Sequence, residues 1–302
     1  MSNFTTQNPG TSVEALRHHY CNVGNEFYRL WLDPTLTYSC ALWEENEGHN
    51  NLQAAQLRKI DFHIAQARVK GAKRVLDVGC GWGSVLRRLL DVHSVEHAIG
   101  ITMSEIHYEW ISALNNSKLE VHLESWMDHF PKEPYDGIIS LEAFEHFTKL
   151  DLSQQERMRV YREFFSRCHK WLKPGGWMSL QVNAHGNSRR EDSSKFIFTE
   201  ILPESDFPTL AEIAQASEHL FEIVMLRNDR QDYEVTCKAW LSRLKANRAA
   251  AVELVGEQIV SNYEKYLSFS LICFHQRISN LLRFTLRRID NPCKQRVTPS
   301  GQ

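Results

Sequence analysis

Two hydrophobic periods take turns along the middle of this chain. Short runs rich in β-branched residues read as strands: Arg74-Val-Leu-Asp-Val78, Ala98-Ile-Gly-Ile101, Glu120 to Leu123, Gly137-Ile-Ile-Ser-Leu141 and Trp177 to Val182. Between them, Ser84 to Leu90, Tyr108 to Leu114 behind a Ser104 N-cap, and Gln155 to Leu172 carry helix formers with apolar residues at helical spacing. Lys173-Pro-Gly-Gly176 stops the last of these. Such βαβαβ alternation predicts a doubly wound, mostly parallel sheet. Upstream, Val13 to about Arg68 is helical and aromatic-rich, with Tyr20, Phe27, Tyr28, Trp31, Tyr38 and Trp43 interrupted at Asp33-Pro34. Beyond Asn183 the alternation lapses. Segment 186–218 is polar and proline-punctuated, Phe221 to Leu226 reads as strand, Tyr233 to Ala251 and Glu253 to Gln276 as helices, and Leu281 to Leu286 as a final strand. The expected organisation is an N-terminal helical cap over 1–68, a sheet core over 69–185, and a helical lid with the last strands over 186–302.

Composition narrows the function classes. A net charge of −2 and a pI near 6.7 provide no positive field for nucleic acid. The polar stretch Met1 to Ser12 lacks the basic start and apolar run of a signal peptide, so a cytoplasmic protein is expected. Seven cysteines are scattered without a C-x-x-C pair, which predicts free thiols and no metal site.

The strand at 74–78 ends in Asp77-Val-Gly-Cys-Gly-Trp-Gly83 and runs into a helix. Glycines there let the backbone approach a ligand, and the helix N-terminus offers free N–H groups. The acid precedes the glycines and the third glycine of the dinucleotide fingerprint is missing, so the loop suits S-adenosylmethionine rather than a dinucleotide. The second strand ends in Gly100-Ile-Thr-Met-Ser104, without the acid that often holds ribose hydroxyls.

Three further motifs line up with this loop: His19-Tyr-Cys-Asn-Val-Gly-Asn-Glu-Phe-Tyr28, Leu36-Thr-Tyr-Ser-Cys-Ala41 and Ser140-Leu-Glu-Ala-Phe-Glu-His-Phe147. Together they resemble the cyclopropane fatty acid synthase-like methyltransferases, which include the mycolic acid cyclopropane synthases and the plant benzylisoquinoline N-methyltransferases. The resemblance runs from about Tyr20 to Leu286. It implies a class I methyltransferase fold with a seven-stranded sheet, and S-adenosylmethionine as cofactor, leaving S-adenosylhomocysteine. It further implies that Tyr38 and Ser39 clamp the cofactor beside Asp77, that Gly79 and Gly81 lie under it, that Thr102, His107 and Trp126 flank ribose and adenine, and that Leu141 packs on the adenine.

For the reaction centre, Glu142, Glu145 and His146 follow a strand at the edge where such sheets present ligands, and flanking apolar residues argue for partial burial. In the cyclopropane synthases, the residues matching Cys40, Glu145 and Tyr233 join a His and a second Cys around a bicarbonate ion. Here Gln181 stands where that His belongs and the second Cys falls near Ser270, so bicarbonate is not expected. Glu142, usually glycine in cyclopropane synthases, matches the glutamate of the N-methyltransferases. The expected catalytic set is Glu145 as principal carboxylate, Glu142 as its secondary partner, His146 and Tyr233; Tyr20, Tyr28, Cys40 and Gln181 line the substrate pocket. Basic residues at Arg189, Arg190, Lys195, Arg283, Arg287 and Arg288 read as surface charge. The expected reaction is methylation of a carbon or nitrogen in a small, largely apolar natural-product precursor of indole, amine or prenyl type. The alternatives are methylene addition to an unsaturated acyl lipid, which alone would need membrane contact, and an inactive cofactor-binding partner subunit. A homo-oligomer is left open.

Overall fold

In the computed structural model of the chain, residues 9–12, 23–45, 51–188 and 206–290 are described. Helices α1 (Asn25–Trp31) and α2 (Leu52–Gln66) precede the sheet. Then follow β1 (Arg74–Val78), α3 (Ser84–Asp91), β2 (His97–Thr102), α4 (Glu105–Ser112), β3 (Leu119–Leu123), β4 (Tyr135–Leu141), α5 (Gln154–Trp171) and β5 (Leu172–His185). The chain continues with α6 (Leu210–Ser217), β6 (Phe221–Asn228), α7 (Arg230–Ala246), α8 (Arg248–Val255), α9 (Glu257–His275) and β7 (Ser279–Arg288). Sheet order is β3-β2-β1-β4-β5-β7-β6, parallel except for β7, which runs antiparallel to both neighbours. The chain winds outward in opposite directions from β1 and β4, so a crevice opens beyond their carboxyl ends.

Local chemistry explains the boundaries. Helix α5 starts in a capping box: Ser153 Oγ accepts from the Glu156 N–H, and the Glu156 carboxylate accepts from the Ser153 N–H. Thr209 and Glu212 repeat the device on α6. One core cluster lies between β4, β5 and α5, where Phe144, Tyr161, Phe164 and Phe165 are fully buried. A second joins α1 to α7 and α9 through Phe27, Tyr28, Trp31, Trp240 and Tyr263.

Some expectations differ in detail. No helix links β3 to β4 among the described residues, because the connection carries Pro131 and Pro134, which remove backbone donors and fix φ. The two helices expected over 233–276 are three. Asn247 ends α7, its side-chain amide donating to the Leu30 and Arg243 carbonyls, and Gly256 at φ 85° separates α8 from α9. Residues 189–205, the middle of the expected lid, fall outside the described residues, as do Arg189, Arg190, Lys195 and Tyr20.

Candidate active site

A cleft of about 1060 Å³, part of it open to solvent, lies at the carboxyl ends of β1, β2 and β4. Its lining includes every residue expected at the cofactor: Tyr38, Ser39, Asp77, Gly79, Gly81, Thr102, His107, Trp126 and Leu141. The glycine loop explains itself here. Gly79, Gly81 and Gly83 all have positive φ. A Cβ on Gly79 would stand 2.4 Å from the Ala143 Cβ, whereas one on Gly81 would meet no protein atom within 4 Å and would project into space that a ligand can use. Asp77 closes β1 nearly out of solvent, and burial pushes its carboxyl up to about 7. At the end of β2, Thr102 Oγ1 accepts from the Ser104 N–H, and the His107 ring packs edge-on against Trp82. Glu124, just past β3, also lines the cleft and bonds His129 at 2.6 Å; it was not anticipated from the sequence.

Beside this cleft lies a buried polar network centred on Glu142. The residue sits just past β4 at φ 54°, a left-handed conformation that costs an L-residue about 1–2 kcal/mol. That turn aims its carboxylate at four donors. Oε1 accepts from the Cys40 N–H at 2.8 Å and the Gln181 amide at 2.7 Å; Oε2 accepts from the Tyr233 hydroxyl at 2.6 Å and the Asn183 amide at 3.3 Å. The set suits a group that only accepts. Cys40 and Tyr233, residues that the resemblance places around a bicarbonate ion, thus both direct donors at a side chain of the protein itself. Burial holds the Tyr233 phenol well above its ordinary pKa, so it stays a donor.

The orientation of Gln181 follows from its neighbours. Arg283 Nε, which can only donate, bonds the Gln181 carbonyl oxygen at 2.8 Å, so the amide NH₂ must face Glu142. His63 Nε2 lies 2.9 Å from the same oxygen and therefore carries the proton, leaving Nδ1 to accept from the Ser179 hydroxyl at 2.7 Å. A neutral imidazole fits its full burial, which pulls its pKa well below the ordinary value. Arg283 also donates to the Ala41 carbonyl at 2.9 Å and pairs with Asp229. The expectation of surface charge is thus corrected for Arg283: it is fully buried, neutralised by Asp229 with Asp232 3.5 Å away.

Glu145 and Glu142 are brought together through Asn183, whose amide also donates to Glu145 Oε1 at 2.8 Å. Glu145 does not line the cleft. Burial, and then the charge on Glu142, raises its pKa above the ordinary carboxylate range. Its Oε2 has no hydrogen-bond partner among the described residues. His146 does line the cleft, with Nδ1 3.3 Å from Thr11 Oγ1, and burial lowers its pKa to about 4. Tyr28 is fully buried in the aromatic cluster, its hydroxyl 2.7 Å from that of Tyr263. Lys59, His63, Asn183 and Arg283 were missed as site residues. Gln56, Lys59 and His63 recur at helical spacing on α2, a polar stripe that reads as solvated until the sheet is seen beneath it.

The mycolic acid cyclopropane synthetase family model matches residues 7–284. The chain is 31% identical over 295 residues to cyclopropane mycolic acid synthase 2 of Mycobacterium leprae, covering 91% of this chain and 93% of that protein. It is also 31% identical over 299 residues to cyclopropane mycolic acid synthase 1 of Mycobacterium tuberculosis, covering 91% and 99%. The structure superposes on that of mycolic acid cyclopropane synthase CmaA1 complexed with SAH and CTAB with a TM-score of 0.81 at 28% identity, covering 92% of this chain and 99% of that one. Coclaurine N-methyltransferase, bound to N-methylheliamine and SAH, shares the fold at a TM-score of 0.76 and 19% identity, covering 94% and 84%. With a glycine loop, a cleft beyond the switch point and these relatives, the chain belongs to the mycolic acid cyclopropane synthetase family and is an S-adenosylmethionine-dependent methyltransferase.

Proposed function

We propose that the protein transfers a methyl group to a carbon or nitrogen of a small, largely apolar acceptor, with Glu142 as the carboxylate that meets the acceptor. The observation that carries this reading is the four-donor clasp on Glu142 from Cys40, Gln181, Asn183 and Tyr233. S-adenosylmethionine, when bound, supplies an electrophilic methyl carbon. Tyr38, Ser39, Gly79, Gly81, Thr102, His107, Trp126 and Leu141 are the residues that would hold it, because all of them face one cleft.

At the acceptor, positive charge develops as its electron pair moves onto the methyl carbon. Glu142 borders the cleft, so its negative charge opposes that positive charge; its accepting sites are already taken by four donors, and the proton that leaves the acceptor passes to solvent. Its donors are already in place before reaction, which removes the need for reorganisation during it. The neighbouring Glu145, whose proton is held tightly by burial and by the Glu142 charge, keeps the pair near a single negative charge. Bicarbonate does not fit this set of residues, since the Cys40 N–H and the Tyr233 hydroxyl already end on the Glu142 carboxylate.

A second reading, cyclopropane formation on an unsaturated acyl lipid, is favoured by the names of the curated relatives. The two are separated by incubating amines, indoles, prenyl chains and monounsaturated acyl lipids with cofactor bearing a trideuterated methyl group. Simple methylation delivers all three deuteriums and leaves the double bond. Ring closure removes one deuterium and consumes the double bond. A lipid product of the second kind, with no turnover of the small molecules, overturns the first reading.

A further inference from the structure

The two edges of the sheet, β3 and β6, differ in what they present to solvent. β3 is five residues long and alternates Leu119, Val121 and Leu123 with Glu120 and His122, whose side chains meet at 2.8 Å. β6 is eight residues long, pairs with β7 alone, and reads Phe-Glu-Ile-Val-Met-Leu-Arg-Asn, without lysine or proline. Long apolar edges are ordinarily blunted by those two residues, because free N–H and C=O groups template pairing with another chain. Here Ile223, Val224 and Leu226 are 38%, 47% and 41% exposed, which leaves a run of aliphatic side chains in water.

The register against β7 sorts these side chains by face. Arg283 and Thr285 of β7 lie on the α2 face: Arg283 bonds Gln181, which His63 of α2 also meets, and Thr285 donates to Gln66 of α2 at 2.8 Å. Arg287, two positions further, shares that face. Their partners on β6, Arg227, Met225 and Glu222, therefore lie there too. Ile223 and Leu226, opposite Leu286 and Phe284, lie on the other face, where they continue the apolar layer that α5 covers. The register shift between Ile223 and Met225 is responsible. In a regular strand, Glu222 and Arg227 would point to opposite faces. With the shift, the strand is complementary to itself. Turned about a two-fold axis perpendicular to the sheet beside Val224 and Met225, Glu222 of one copy comes opposite Arg227 of the other, and Ile223 opposite Leu226. Glu222 is exposed and forms no ion pair among the described residues, and Arg227 keeps 41% of its side chain exposed while reaching Asp229 at 3.0 Å.

We propose that β6 is a dimer interface, at which two copies of the chain pair antiparallel and join their sheets into one, with Glu222 and Arg227 matched on the α2 face and Ile223 and Leu226 matched on the other. Such an interface is isologous, so one surface serves both copies. Backbone pairing supplies the affinity, and the matched charges fix the register.

The test is sedimentation of the full chain from about 0.1 to 100 µM, a range that covers the weak end of such interfaces, with a thermal melt of each variant. The wild type should pass from monomer to dimer within it. Glu222→Arg and Arg227→Glu should each raise the dissociation constant by at least roughly tenfold, since each turns both pairs of unlike charge into pairs of like charge. Combining Glu222→Arg with Arg227→Glu restores the pairs in reverse and should recover the wild-type constant to within about threefold. Val224→Lys, at an exposed position, reads the same edge where a charge variant does not fold, and should remain monomeric throughout. A wild type that is monomeric at every concentration, a dimer that the single reversals leave intact, or a combined variant no tighter than the single ones each overturns the proposal. A monomeric wild type that sediments with phosphatidylglycerol vesicles would assign the aliphatic edge to a lipid surface and overturn it as well.

Discussion

The Tyr233 hydroxyl donates to Glu142 Oε2 at 2.6 Å, joining residues 91 positions apart in the chain. Tyr233 sits in the first turn of α7 and Glu142 just past β4, so the bond ties the helices that follow β6 to the floor of the cleft. Its ring stacks on Phe274 of α9 at 4.3 Å, which fixes the direction of the hydroxyl. Tyr233→Phe removes the donor and preserves the stack. Turnover should fall by roughly tenfold to a hundredfold, the span of one hydrogen bond to a charged group, while S-adenosylhomocysteine affinity stays within about twofold. Steady-state kinetics and calorimetry read the two quantities separately.

Glu142→Gln should be more damaging than Glu145→Gln. The glutamine keeps one accepting oxygen and turns an NH₂ toward groups that themselves donate, so both the charge and the clasp are lost. A fall of roughly 10²–10⁴-fold in turnover is expected, with about tenfold for Glu145→Gln. The double variant should lose less than the product of the single losses, because the two carboxyls share Asn183. A larger loss from Glu145→Gln would transfer the leading role to that residue.

Asp77 gives stability a pH dependence of known sign. Its ordinary pKa is 3.8 and burial raises it to about 7, so the folded protein holds this proton more tightly than the unfolded chain does. The contribution is fully present below about 4 and is lost as the pH rises through 7. Asp77→Asn should therefore gain stability relative to the wild type between pH 5 and pH 8, by ~2.7 kcal/mol at the upper bound. Urea unfolding midpoints of both proteins without cofactor, at the two pH values, measure the change; a constant difference between them refutes it.

Gly81→Val should abolish cofactor binding while leaving the protein folded. Nothing in the protein stands within 4 Å of the added Cβ, so the cost within the fold is confined to the positive φ of 50°. The branched side chain would occupy the ligand's space instead. Titration with S-adenosylhomocysteine alongside a thermal melt distinguishes lost binding from lost folding.

Activity should be independent of bicarbonate, because the Glu142 carboxylate already takes the donors of Cys40 and Tyr233. Assays in carbonate-depleted buffer should show turnover within about twofold of that in air-equilibrated buffer, a difference worth less than one weak hydrogen bond. Collapse on depletion and recovery on addition would restore a mechanism with an external base.

The sheet and the cofactor loop were legible in the residues themselves. Strand and helix periods are local properties, and Asp77, Gly79, Gly81 and Gly83 lie within seven consecutive positions whose spacing alone implies a turn under a ligand. The cluster Glu142, Glu145 and His146 was legible for the same reason, being one short segment after one strand. The division of labour within it was not. Which carboxyl faces the cleft depends on the left-handed turn at Glu142 and on donors from residues 40, 181, 183 and 233, which lie in three separate parts of the chain. Lys59, His63 and Arg283 were hidden for a related reason. Each is a polar residue of a type that ordinarily points to water, and only the packing of α2 and β7 against the centre of the sheet puts it inside. Sequence periodicity reports which side of an element is apolar; it does not report that a polar side has found its partners across the fold, because those partners are assembled by tertiary contact alone.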